Sequence, residues 1–169
     1  MENDGQLGLR KWIQAGLAIR EVHDLNGDAG YIFNNMIAKY TLAAATYRVS
    51  VKAERVLRRS GVRLDRPVRR GAIYGKSKPT VFEHAVPATI VRTQLLDSSG
   101  SSAAIKQVLA RAGPVAIILR EEDALLNRMG LSQKMPEGWK WGDDVLDRYR
   151  RAGIVLTDRG VRMTGAIKR

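Results

Sequence analysis

Ten of the thirty residues from 51 to 80 are lysine or arginine: Lys52, Arg55, Arg58, Arg59, Arg63, Arg66, Arg69, Arg70, Lys76 and Lys78. Only Glu54 and Asp65 oppose them, which leaves a net charge of +8. Like charges at this density repel one another at a cost that salt only partly screens, so a counter-charged partner would stabilise the arrangement. The remainder of the chain is far more balanced. Residues 1–50 are neutral, with five basic and five acidic side chains, and residues 81–120 and 121–169 add +2 each. Two-thirds of the total charge of +12 therefore sits in less than a fifth of the 169 residues. A nucleic acid, DNA or RNA, is the commonest partner for such a segment.

Composition narrows the class. Hydrophobic residues make up 44% and charged residues 27%, ordinary globular usage that argues against wholesale disorder. The absence of cysteine excludes a disulfide scaffold, a thiolate metal site and a cysteine nucleophile, and it fits a reducing compartment. No apolar run is long enough to span a bilayer, and the Met1-Glu2-Asn3-Asp4 start is too acidic for a secretory signal. A soluble, cytoplasmic protein without membrane contact is expected.

Periodicity predicts a mainly helical α+β fold in three stretches: an N-terminal helical hairpin over 1–60, a basic extended arm over 61–86, and a compact α+β module over 87–169. Leu9, Trp12, Ile13 and Leu17 mark an amphipathic helix over 9–22, which Asn26-Gly27-Asp28 ends. From 31 to 60 there is neither Gly nor Pro, and the alanine-rich centre predicts one long helix over 29–60. On that helix Arg48, Lys52, Arg55 and Arg59 would share one face. Residues 61–80 lack periodicity and read as a loop that orders on binding. Gly75-Lys76-Ser77 resembles the tail of a phosphate-binding loop, but Arg70 stands where the first glycine belongs.

Beyond this, Pro87 opens a helix to about Leu96, and Ser101 or Ser102 caps another that Gly113-Pro114 stops. Val115-Ala116-Ile117-Ile118-Leu119 reads as a short buried strand, and Glu121-Glu122-Asp123 as the start of a helix ending at Gly130. A Gly- and Pro-bounded connection carries Trp139-Lys140-Trp141, either a hydrophobic latch or a stacking platform. Asp143 can cap a helix over 144–152, and 154–157 and 161–164 flank Asp158-Arg159-Gly160 as a hairpin would.

The order from residue 102 onward (helix, strand, helix, helix, hairpin) resembles that of a winged helix. The resemblance implies a groove-entering helix bearing Arg148, Arg150 and Arg151 and a wing bearing Arg159 and Arg162. A shorter likeness lies at Glu83-His84 followed by Val86-Pro87, which resembles the D-H-x-x-P core of HNH nucleases. It implies His84 as general base and Glu83 as a metal-holding carboxylate, with Mg²⁺ the cofactor of such a nuclease. The family's later asparagine and histidine have no counterpart here.

Glu121-Glu122-Asp123 and Asp143-Asp144-Asp147 could supply oxygen ligands to Mg²⁺ or simply begin helices. With two histidines and no cysteine, no transition-metal site is expected, and His23 beside Glu21 and Asp24 reads as a surface residue. The leading expectation is a nucleic-acid-binding protein without cofactor, contacting phosphates through the ten cations and Arg48. Two alternatives stand beside it: a metal-dependent nuclease using Glu83 and His84, and a small inhibitor or adaptor, of the phage counter-defence type, that binds a nucleoprotein complex.

Overall fold

The structure, a computed structural model, describes residues 3–18 and 28–165. It is a mainly helical α+β fold, as expected. Its helices are α1 (Asp4–Ala18), α2 (Asp28–Leu42), α3 (Val51–Arg59), α4 (Arg70–Ile73), α5 (Ala88–Leu96), α6 (Ser102–Arg111), α7 (Arg120–Arg128) and α8 (Asp147–Arg151). Its strands are β1 (Thr46–Val49), β2 (Val68–Arg69), β3 (Thr80–His84), β4 (Val115–Leu119) and β5 (Val161–Thr164), in the spatial order β2-β5-β1-β4-β3. The sheet takes β1 from within residues 1–60, β2 and β3 from within 61–86, and β4 and β5 from within 87–169. No helix among the described residues is long and apolar enough to cross a membrane.

The long helix expected over 29–60 is two helices separated by a strand. Thr46-Tyr47-Arg48-Val49 alternates outward and inward with β-branched and aromatic residues, the pattern of a strand buried on one face. Its backbone is paired on both sides, with β4 in parallel and β5 antiparallel, and that pairing overrides the helical preference of the preceding alanines. Ser50 restarts the helix by accepting a hydrogen bond from Ala53 N at 3.0 Å. Its hydroxyl also donates to the buried Glu122 carboxylate at 2.6 Å, which accepts from Leu119 N at 2.9 Å, so one acid joins the starts of α3 and α7.

The C-terminal hairpin is replaced by a different pairing. Residues 154–157 and 161–164 run one after the other along the same edge of β1. Thr157 N donates to Val49 O at 2.8 Å and Leu156 bridges Ser50, while Val161 and Arg162 face Tyr47 and Thr46. Asp158-Arg159-Gly160 is an interruption in this one extended run, and the winged-helix order loses its wing.

Three apolar clusters hold the fold. One face of the sheet (Tyr47, Val49, Val68, Val115, Ile117, Leu119, Val161, Met163) packs under Ala53 and Leu57 of α3 with Leu64 and Ile73. The other face is covered only in part: Ala116 and Ile118 meet Leu126 of α7, Leu131, Tyr149 of α8 and Ile154. A helical cluster joins α1, α2, α5 and α6 through Ile13, Phe33, Ile37, Leu95, Ile105 and Leu109. Ser101 caps α6 as expected, its Oγ accepting from Ala104 N at 3.2 Å. Gly113, at φ 76°, turns α6 into β4 where an added Cβ would come within 2.9 Å of both Val145 and Ala85.

Candidate nucleic-acid interface

The basic segment is a built part of the core instead of a free arm. Leu64, Val68 and Ile73 are buried, and β2, α4 and the Tyr74–Thr80 bridge give its backbone partners. The apolar residues that do this are too widely spaced to form a helical or strand period, which is why the stretch reads as a loop.

The nominated cations fall into three groups. Arg70 is enclosed and tied to the protein: Nε donates to Tyr47 Oη at 3.3 Å, Nη1 to Gly165 O at 2.6 Å, and Nη2 to Leu42 O and Ala44 O at 3.2 and 2.9 Å. It is a structural clasp: four of its five N–H donors go to protein acceptors and the side chain is buried. Arg58, Arg63 and Arg48 are neutralised by neighbours: Arg58 by Glu54 at 2.7 Å one turn back, Arg63 by Asp65 at 2.7 Å, and Arg48 more loosely by Asp158 at 3.5 Å. Asp65 is held down to about 2, chiefly by its hydrogen bond from Arg63, with the charge of Arg159 adding to the effect. Lys52, Arg55, Arg59, Arg66, Arg69 and Lys76 are exposed, Lys78 partly so, and none has an ion pair among the described residues.

On α3 the geometry is helical and the expected stripe survives in shortened form. Ala53 and Leu57 point into the core, which turns Lys52, Arg55 and Arg59 outward together. Arg48 belongs to β1 and lies on the sheet's other face, where its guanidinium donates to Thr157 O at 3.0 Å.

Glu83 and His84 are adjacent on β3, and strand alternation sends them to opposite faces of the sheet. The Glu83 carboxylate is bonded by the fully buried Arg148; burial lifts its pKa and the guanidinium pulls it back only in part. His84 Nδ1 lies 2.7 Å from Thr41 Oγ1, whose single proton goes to Ala38 O at 2.9 Å. The imidazole is therefore the Nδ1–H tautomer and donates to Thr41. Burial, with Arg148 second, pushes it down to about 4, so it is neutral at physiological pH. Each side chain is committed to a structural partner, so they do not converge as a base beside a metal-holding acid.

The acidic clusters serve as starts and ties. Glu122 is spent on Ser50 and Leu119 N, Asp144 and Asp147 pair with Arg150, and Asp143 accepts from Lys140 N at 2.7 Å. Among the described residues no group of three or more His, Asp or Glu side chains is placed to hold a metal ion. His23, Glu21 and Asp24 lie outside the described residues. Trp139 and Trp141 meet edge to face at 6.2 Å and pack on the helical cluster, the latch arrangement, and Trp139 also walls an open cleft of about 430 Å³ with Asp147 and Arg151.

Of the winged-helix nominations, Arg148 is buried and bonded to Leu131 O, Ser132 O, Glu83 and His84 O, and cannot reach a groove. Sequence reasoning missed this hub because most of its partners are backbone carbonyls. No protein-family model, curated protein or solved structure matches the chain.

Proposed function

We propose that this protein binds the sugar–phosphate backbone of a nucleic acid through the outward face of α3. The observation that carries the reading is selective neutralisation. Arg58 and Arg63 have acids within ion-pair distance, whereas Lys52, Arg55 and Arg59 stand together on one exposed face with none among the described residues. An uncompensated cationic stripe on a rigid helix lowers its own repulsion when it displaces the condensed counterions of a polyanion. Such contact reads charge and carries no sequence information, and the helix offers no aromatic ring for base stacking.

The test is an electrophoretic shift with DNA and RNA across a salt series, with and without Mg²⁺. Affinity should fall steeply with salt, and replacing Lys52, Arg55 and Arg59 by alanine should flatten the log–log slope by roughly 2 to 3, at about 0.9 per lost duplex phosphate contact. A salt-insensitive shift, no shift, or an unchanged triple variant would defeat the reading. Cleavage that appears only with Mg²⁺ would replace it with an enzymatic one.

A further inference from the structure

The part of the sheet left open by α7 and α8 belongs to β1, β5 and β2, and its register aligns three arginines. Tyr47, Val49, Val161, Met163 and Val68 enter the core, so Arg48, Arg162 and Arg69 stand on the opposite face with Thr46 and Thr164. Thr46 lies across from Arg162 in the antiparallel β1–β5 pair, which sets Arg48 two residues toward one end of the sheet. Arg69 lies across from Thr164 in the parallel β2–β5 pair, two residues from Arg162 toward the other end. The three form one oblique row, one arginine per strand.

With strands about 4.8 Å apart and a rise of about 3.3 Å per residue, neighbouring Cα atoms along the row are roughly 8 Å apart. Guanidinium groups on flexible stems at that pitch can meet successive phosphates along one polynucleotide strand. Arg162 and Arg69 are exposed and have no ion pair among the described residues, and the half-buried Arg48 donates to Thr157 O at 3.0 Å and has only a loose ion pair with Asp158 at 3.5 Å. Thr46 and Thr164 are small, so a backbone can approach the sheet closely. The aromatic rings of the sheet face away: Tyr47 is in the core and Phe82 is sandwiched with Tyr47 and Tyr74.

We infer that the open β1–β5–β2 face is a second phosphate-binding surface, which takes three successive phosphodiesters of a single nucleic acid strand with the bases turned away. It rests on the reading of the chain as a phosphate-backbone binder and lies on the side of the sheet opposite α3. Contact here is insensitive to base identity, and a flexible single strand can follow the oblique row of arginines more readily than a stiff duplex.

The experiment is fluorescence anisotropy of the full chain with a labelled oligothymidylate and with the same length of duplex, across a salt series. Arg69→Gln combined with Arg162→Gln should flatten the single-strand log–log slope by about 1.4, two contacts at about 0.7 each. The same pair should weaken duplex binding less. Both residues are exposed and have no ion pair among the described residues, and an unchanged melting temperature will confirm that the fold is intact; Arg48 is left in place because it holds Thr157 O. If the pair binds oligothymidylate with wild-type affinity and slope while Lys52, Arg55 and Arg59 variants lose it, the second surface is overturned and the α3 reading stands. If the wild-type chain binds neither probe, both fail.

Discussion

The buried Arg148 and the partly buried Glu83 form an ion pair that closes a three-way junction. One terminal nitrogen of the guanidinium donates to the Glu83 carboxylate and to the carbonyl of His84, and the other to Leu131 O at 2.7 Å and Ser132 O at 3.2 Å, while Cζ lies 5.2 Å from the Tyr149 ring centre. Strand β3, helix α8 and the end of the α7 loop are thus tied by one side chain.

Removing Arg148 leaves the partly buried Glu83 without its counter-charge and three carbonyls, of His84, Leu131 and Ser132, without the donor it supplies. Arg148→Ala should lower unfolding free energy by about 3 to 5 kcal/mol, the usual cost of breaking a buried pair from one side. Glu83→Gln keeps an acceptor and should cost less. Combining Glu83→Gln with Arg148→Met should recover part of the Arg148→Ala loss. Urea unfolding monitored by tryptophan fluorescence measures all three, and equal losses for Arg148→Ala and the double variant would show that the lost charge pairing is not what matters.

His84 should make the protein acid-sensitive. Its imidazole titrates near 4 in the folded state and near 6.5 when exposed, so between these values the unfolded chain holds more protons. Stability therefore falls as pH drops through this window, by about 3 kcal/mol when complete. The raised pKa of Glu83 works in the opposite direction, since the folded state gains a proton there first. Comparing wild type with His84→Asn isolates the histidine: the variant should show a shallower loss of stability from neutral pH to pH 4, and parallel curves would disprove the assignment.

Arg69 and Arg70 are neighbours with different roles. Arg70→Ala removes a clasp bonded to Tyr47, Leu42, Ala44 and Gly165, and should lower the melting temperature by several degrees while exposing the Tyr47 hydroxyl to titration. Arg69→Ala changes an exposed position and should leave the melting temperature within about a degree or two. Thermal denaturation followed by circular dichroism separates them, and similar shifts for both would contradict the burial difference.

What the sequence revealed were the features set by nearby residues. The Ser101 cap, the Pro87 helix start and the all-apolar run that became β4 are local signals, and each formed as expected. Strand β1 was hidden because Ala43, Ala44 and Ala45 speak for helix, while the hydrogen bonds that make Thr46–Val49 a strand come from residues 116–117 and 161–162. At the site, the density of charge was legible but its sorting was not. Arg58 with Glu54 is a pair at helical spacing that sequence can show. Arg70 and Arg148 bond chiefly to carbonyl oxygens, which every residue carries and no pattern distinguishes.

The placement of β1 between β4 and β5 also governs the order in which the fold can be completed. As the chain is synthesised, β1 emerges early, gains its β4 neighbour only after residue 119, and keeps a bare edge until residues 161–164 arrive. Closing that edge joins segments more than a hundred residues apart, a slow step because so much chain entropy is lost before any contact rewards it. Until then an unpaired strand edge is open to pairing with another chain, and the risk of misassembly is concentrated in the interval before β5 docks.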